Sequence, residues 1–97
     1  MAISDDIRQI IAKTLDLPPE KLTAGTKLED LGAESLDVIE IVYELEEKYD
    51  MRISFDADVN STTVKIGREG GPLREAAFAT VGDIVNAVQD IVAAKAP

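Results

Sequence analysis

The stretch Asp30–Tyr49 reads DLGAESLDVIEIVYELEEKY, and it decides the fold because it holds the clearest helical period in the chain. At about 100° per residue, Val38, Ile41, Val42, Leu45 and Tyr49 project to one side of a helix spanning about 35–49. Asp37, Glu40, Glu44 and Glu47 cluster on the opposite side. Leu36 and Tyr43 fall among those carboxylates, and Glu34 extends the acidic face just ahead of the helix. A single exposed leucine is ordinary, but apolar side chains set inside an acidic face have the composition of a docking surface. Ser35 stands at the mouth of the helix, where serine is a favoured N-cap.

Outward from this helix the other elements follow by the same logic. Ile3, Ile7, Ile10, Ile11 and Leu15 recur at helical spacing, with Ser4 as expected N-cap and Asp5 and Asp6 in the first turn, which predicts a helix over 4–15. Leu17 followed by Pro18 and Pro19 stops it. Residues 16–34 then read as a long connection anchored by Leu22, Leu28 and Leu31, with Gly25 and Gly32 as turn residues. Near the end, TVGD offers Thr80 and Asp83 as a capping pair for a helix over 80–94 that carries Val81, Ile84, Val85, Val88, Ile91 and Val92. Between these helices, residues 54–71 read as an inserted loop or small hairpin, since TTVKI has strand composition and GREGG that of a turn. Pro72 is then expected to open a short helix over 72–78 with Leu73, Ala76, Ala77 and Phe78. The expected architecture is all-α: one domain over 1–97, an antiparallel bundle of three longer helices plus the short third one.

Composition narrows the function. Nineteen acidic residues against ten basic ones give a net charge of −9, which disfavours nucleic acid as a partner. With 45% hydrophobic residues the chain is too apolar for a disordered acidic tail. No cysteine is present, so disulfides and thiolate metal sites are excluded. No segment reaches the roughly 18 apolar residues of a membrane span, and the N-terminus has no basic region followed by an apolar run, so a soluble cytoplasmic monomer is expected.

Three chemistries compete for the polar motifs. GAES resembles part of a nucleophile elbow, but Leu36 and Asp37 follow the serine where a glycine is needed, and the chain has no histidine to serve as base. No catalytic residue is therefore assigned. DADVNSTTVKIG places Asp56, Asp58 and Asn60 at the first three ligand positions of a calcium loop, yet Ser61 stands where glycine is required and Gly67 where a bidentate glutamate is required. No metal site is assigned, and an acidic interaction or calcium-responsive domain without a covalent arm remains the alternative reading. The third candidate is Ser35 itself.

Residues 28–49, LEDLGAESLDVIEIVYELEEKY, closely resemble the acyl carrier protein signature around the phosphopantetheine attachment serine, read as D-x-G-x-D-S-L followed by an acidic helix. Asp30, Gly32, Ser35, Leu36 and Asp37 match it. LDLPPEKLT after the first helix and the closing TVGDIVNAV extend the resemblance. It implies that a separate magnesium-dependent phosphopantetheinyl transferase loads Ser35 with 4′-phosphopantetheine from coenzyme A, so the serine needs no histidine of its own. It further implies acyl thioesters on the arm, partner enzymes that transfer or elongate acyl groups through basic surfaces, and a fatty-acid, lipid or polyketide pathway. Glu34, Leu36, Asp37, Glu40, Tyr43, Glu44 and Glu47 are the expected docking residues. Ile39, Val42, Leu45, Ile53, Phe78 and Ile84 are the expected lining of an acyl cavity. Glu34 replaces the family's usual aspartate, and the segment between Ile53 and the last helix is longer than usual; the insertion either enlarges or lids that cavity, marks the carrier for a dedicated partner, or is a surface loop that costs little closure entropy.

Overall fold

The computed structural model describes residues 2–55 and 63–95, with side chains described as far as 93. Three helices, α1 (Ile3–Leu15), α2 (Ser35–Tyr49) and α3 (Val81–Lys95), pack with a three-stranded antiparallel sheet of β1 (Met51–Phe55), β2 (Thr63–Arg68) and β3 (Arg74–Ala77) in the order β1-β2-β3. The sheet overturns the all-α expectation, and the short third helix over 72–78 does not form. Arg74, Glu75, Ala76 and Ala77 are good helix formers, but one turn of helix is costly to nucleate. Pairing with β2 supplies their backbone bonds instead, with Ile66 opposite Arg74 and Val64 opposite Ala76.

The two outer helices sit close to their expected bounds. α1 begins one residue early, with Ala2 as its N-cap, so Ser4 lies inside the first turn rather than capping it. Asp16 takes a left-handed conformation (φ 57°) and ends the helix. At α3 the Thr80 hydroxyl accepts the Asp83 N–H at 3.0 Å while the Asp83 carboxylate accepts the Thr80 N–H at 3.1 Å, the reciprocal cap that TVGD implied. The long connection forms two 3₁₀ turns, Pro19–Lys21 and Glu29–Leu31, and is tied to the start of α3 by Leu28 N–H to Ala79 O at 3.0 Å and Val81 N–H to Thr26 O at 2.9 Å.

The sheet is short but integral. Asp50, left-handed at φ 52°, turns the chain from α2 directly into β1, whose Met51 and Ile53 face inward. Ile53 N–H donates to the Glu46 carboxylate at 3.0 Å, which occupies a donor on the edge of the sheet that β2 does not cover. Val64 and Ile66 alternate inward from β2 and join the same buried cluster as Ile7, Ile11, Ile41, Leu45, Ile84 and Val88. Gly67 is required by packing: a Cβ there would run into the Pro72 carbonyl. Asp56, Asp58, Asn60 and Ser61 of the calcium-loop reading lie outside the described residues. Gly67, at the loop's last position, is in β2, so strands stand where an EF-hand needs helices.

Two measurements probe this packing. Ile66 is fully buried, so Ile66→Ala is expected to destabilise by about 2–5 kcal/mol, against at most about 0.5 kcal/mol for exposed Lys65→Ala. Equal small losses in denaturant titrations would remove β2 from the core. The Tyr49 hydroxyl oxygen is buried with no hydrogen-bond partner among the described residues. Burial, and then the negative charge of Asp6, raise its pKa above the ordinary 10.0. The unfolded chain therefore loses this proton first, so the tyrosine's share of stability is intact below pH 10 and is lost as pH climbs toward the folded value. Tyr49→Phe is expected to flatten the alkaline fall in melting temperature without cost at pH 7, and an unchanged alkaline profile would count against it.

Candidate functional site

The approach to Ser35 is fixed by backbone geometry. The 3₁₀ turn Glu29–Leu31 closes with Gly32 N–H to Glu29 O at 3.1 Å, and Gly32 is left-handed at φ 75°, a conformation that glycine adopts without strain. Ala33 N–H returns to Leu28 O at 3.3 Å, and the chain enters α2 through Glu34. Glu34, not Ser35, is the N-cap, with extended φ −99° and ψ 170°. Its N–H donates to the Asp37 carboxylate at 2.9 Å, and its own carboxylate accepts from the Asp37 backbone. Ser35 is thus the first residue of the helix, partly exposed, beside N–H groups of the first turn and the positive end of a 15-residue helix.

Past Ser35, the outer face of α2 has the composition read from the sequence. Glu34, Glu40 and Glu47 are exposed, Asp37 and Glu44 partly so, and Leu36 and Tyr43 stand 64% and 66% exposed among them. Glu44 also pairs with Lys13 of α1 at 3.0 Å, so this carboxylate tethers two helices as well as facing outward. The six cavity candidates do not stay together. Val42, Leu45, Ile53, Phe78 and Ile84 are buried in one cluster, whereas Ile39 is 43% exposed. Three positions along a helix turn Ile39 to about 60° from Leu36, so it borders the acidic face. That angle is readable in the sequence, where the inward stripe of Val38, Ile41, Val42, Leu45 and Tyr49 already leaves Ile39 out. Glu46, which holds β1, was not singled out because its role needs a strand that the sequence reading lacked.

A phosphate ester fits this position. An anion at the start of a helix meets unpaired N–H groups and a favourable dipole, and Ser35, partly exposed, stands there as the first residue of α2. No group of acidic residues among the described residues is arranged to hold a metal ion, and no helix there is long and apolar enough to cross a membrane.

Fold and site set a partly exposed serine at a helix N-terminus beside an acidic face, and comparison with known proteins supplies the class. Residues 5–65 match the phosphopantetheine attachment site family. An acyl carrier protein of Sulfurovum sp. is 34% identical over 92 residues, covering 94% of this chain and all of that protein. One from Wolinella succinogenes is 38% identical over 91 residues, covering 92% and 96%. One from Campylobacter curvus is 46% identical over 54 residues, which are 70% of that protein but 55% of this chain, so this chain is the longer. The chain belongs to the acyl carrier protein family: it is a carrier rather than an enzyme, with 4′-phosphopantetheine as its covalent group.

Two stability effects follow from the site's geometry. Because Glu34 and Asp37 do the capping, Ser35→Ala is expected to shift stability by no more than about 0.5 kcal/mol, below the usual loss of an N-cap residue. Glu40 lies one turn from both Asp37 and Glu44, and like charges at that spacing cost about 0.2–0.5 kcal/mol per pair. Glu40→Lys is expected to raise the melting temperature at low salt, with the gain shrinking in 0.5 M salt as screening takes over, a range of about one Debye length of 3–10 Å. Urea titrations at two ionic strengths check both effects.

Proposed function

We propose that Ser35 is the attachment residue and that the chain holds acyl intermediates as thioesters on its arm for a dedicated fatty-acid, lipid or polyketide pathway in the cytoplasm. The observation that carries this reading is the partly exposed Ser35 at the first position of α2, beside a continuous acidic and apolar face. The arm supplies the thiol that bears the acyl group. The residues of the chain do the rest. The first-turn N–H groups of α2 favour the phosphate, and Glu34, Asp37, Glu40, Glu44 and Glu47 steer enzymes with basic surfaces toward it. Leu36, Tyr43 and the bordering Ile39 supply the apolar contact once the partner arrives.

Loading needs no base from the carrier. The bond from Ser35 Oγ to phosphorus forms as the bond to the adenosine bisphosphate of coenzyme A breaks, and the hydroxyl proton leaves to a base of the transferase. The buried cluster of Val42, Leu45, Ile53, Phe78 and Ile84 lies beneath this face and is the part of the core we assign to sheltering an acyl chain. β2 contributes Val64 and Ile66 to the same cluster, so this strand helps to shape the apolar space.

Intact mass after expression with a phosphopantetheinyl transferase tests the assignment. The wild type should gain one phosphopantetheine and Ser35→Ala none; a modified mass in the alanine variant would sink it. Glu40→Lys should slow loading mainly through the association rate at low salt, with the difference fading as salt rises. Identical rates for both proteins at low salt would mean that the acidic face is only solvated.

A further inference from the structure

Ser35 sits between two locks. On its N-terminal side, Leu28 is tied to Ala79, and the 3₁₀ turn ending at Gly32 hands the chain to Glu34. On its C-terminal side, the Asp37 carboxylate reaches back over Ser35 to the Glu34 N–H at 2.9 Å, while the Glu34 side chain holds the Asp37 N–H. First turns of helices fray readily. A nucleophile on a fraying turn points in many directions, and misplacement by about 1 Å can cost about a hundredfold in rate.

Among the carboxylates of the acidic face, Asp37 is placed differently from the rest. Glu44 is engaged with Lys13, Glu40 and Glu47 lie further along the helix, and Asp37 is the carboxylate within α2 that reaches back across the serine, to a Glu34 whose own carboxylate reaches forward to it. Its charge is also held on the backbone of the first turn, where the helix dipole favours it.

We propose that Asp37, acting through the Glu34 N–H, is a positioning residue for loading: it holds the first turn of α2 so that the Ser35 hydroxyl meets the transferase in one orientation, separately from any docking charge it provides. This rests on Ser35 being the attachment residue. The chemical step is the one already given, with the Ser35 Oγ to phosphorus bond forming and the adenosine bisphosphate leaving. Asp37 exchanges no proton in it and contributes orientation alone.

The two roles separate in steady-state loading of the apo protein with coenzyme A and a phosphopantetheinyl transferase. Asp37→Asn removes the charge but keeps an oxygen able to accept the Glu34 N–H. Asp37→Ala removes both. At low salt both should raise KM through lost docking charge, but only Asp37→Ala should lower kcat, by about tenfold or more, and this loss should persist in 0.5 M salt. Hydrogen exchange at the Glu34 amide should quicken in the alanine variant and much less in the asparagine one. Asp37→Glu, which keeps charge and acceptor at the position where glutamate completes a capping box, should retain more of kcat than Asp37→Ala. Equal kcat for the asparagine and alanine variants, or a glutamate variant as slow as alanine, overturns the proposal. So does a slow alanine variant whose circular dichroism shows lost helix while Asp37→Asn and Asp37→Glu differ only in KM from the wild type. Modification persisting in Ser35→Ala would instead strike the attachment assignment, so the two failures are distinguishable.

Discussion

The inner stripe of α2, formed by Ile41, Val42 and Leu45, is buried against α1 and the sheet, and this burial fixes what the other side of the helix presents. Each such side chain contributes about 1.5–3 kcal/mol on leaving water. Like charges on the outer face oppose folding by only a few tenths of a kcal/mol per pair. The core term is the larger, so the chain can keep a dense row of carboxylates beside Ser35 at little cost. One such carboxylate, Glu44, is put to structural use through Lys13, and another, Glu46, through the Ile53 N–H.

Charge is unevenly distributed between the two halves. Residues 1–50 carry thirteen acidic and five basic side chains, while residues 51–97 carry six and five. Nearly all of the net charge of −9 therefore belongs to the half that bears Ser35 and the acidic face of α2. Such a field raises encounter rates with basic surfaces and orients them before contact. The sheet carries Arg52, Lys65, Arg68 and Arg74 and adds little to that field. Its contribution is packing, through Met51, Ile53, Val64 and Ile66.

Periodicity made the helices legible, while the sheet depended on partners distant in sequence. Val64 and Ile66 alternate with exposed residues, a period of two, while the hairpin expected there rested on strand and turn composition. β1 gave less signal: it is five residues long and follows α2 with only Asp50 between. β3 gave none, since only Ala76 of Arg74–Ala77 is even partly buried and its composition favours helix. Tertiary pairing outweighed that local preference. At the site, Ser35 and the acidic face were readable because residue type and helical angle suffice for both. The caps were not: Ser4 and Ser35 are the residues that composition favours as N-caps, yet Ala2 and Glu34 take those places.

This last difference matters for how the serine is presented. A serine serving as N-cap would commit its oxygen to the backbone N–H of the second or third helical residue. With Glu34 in that place, the work of closing the helix start passes to a neighbour and to Asp37, and Ser35 becomes the first residue of the turn that they close. The glutamate that departs from the family's usual aspartate is therefore no obstacle to capping, because the reciprocal bond from Asp37 closes the turn from the other side. The same two carboxylates belong to the acidic face, so the residues proposed to draw a partner in are also those that close the serine's turn. The proposed docking charge and the proposed presentation of the serine thus share one carboxylate, that of Asp37, whose 2.9 Å bond to the Glu34 N–H spans Ser35.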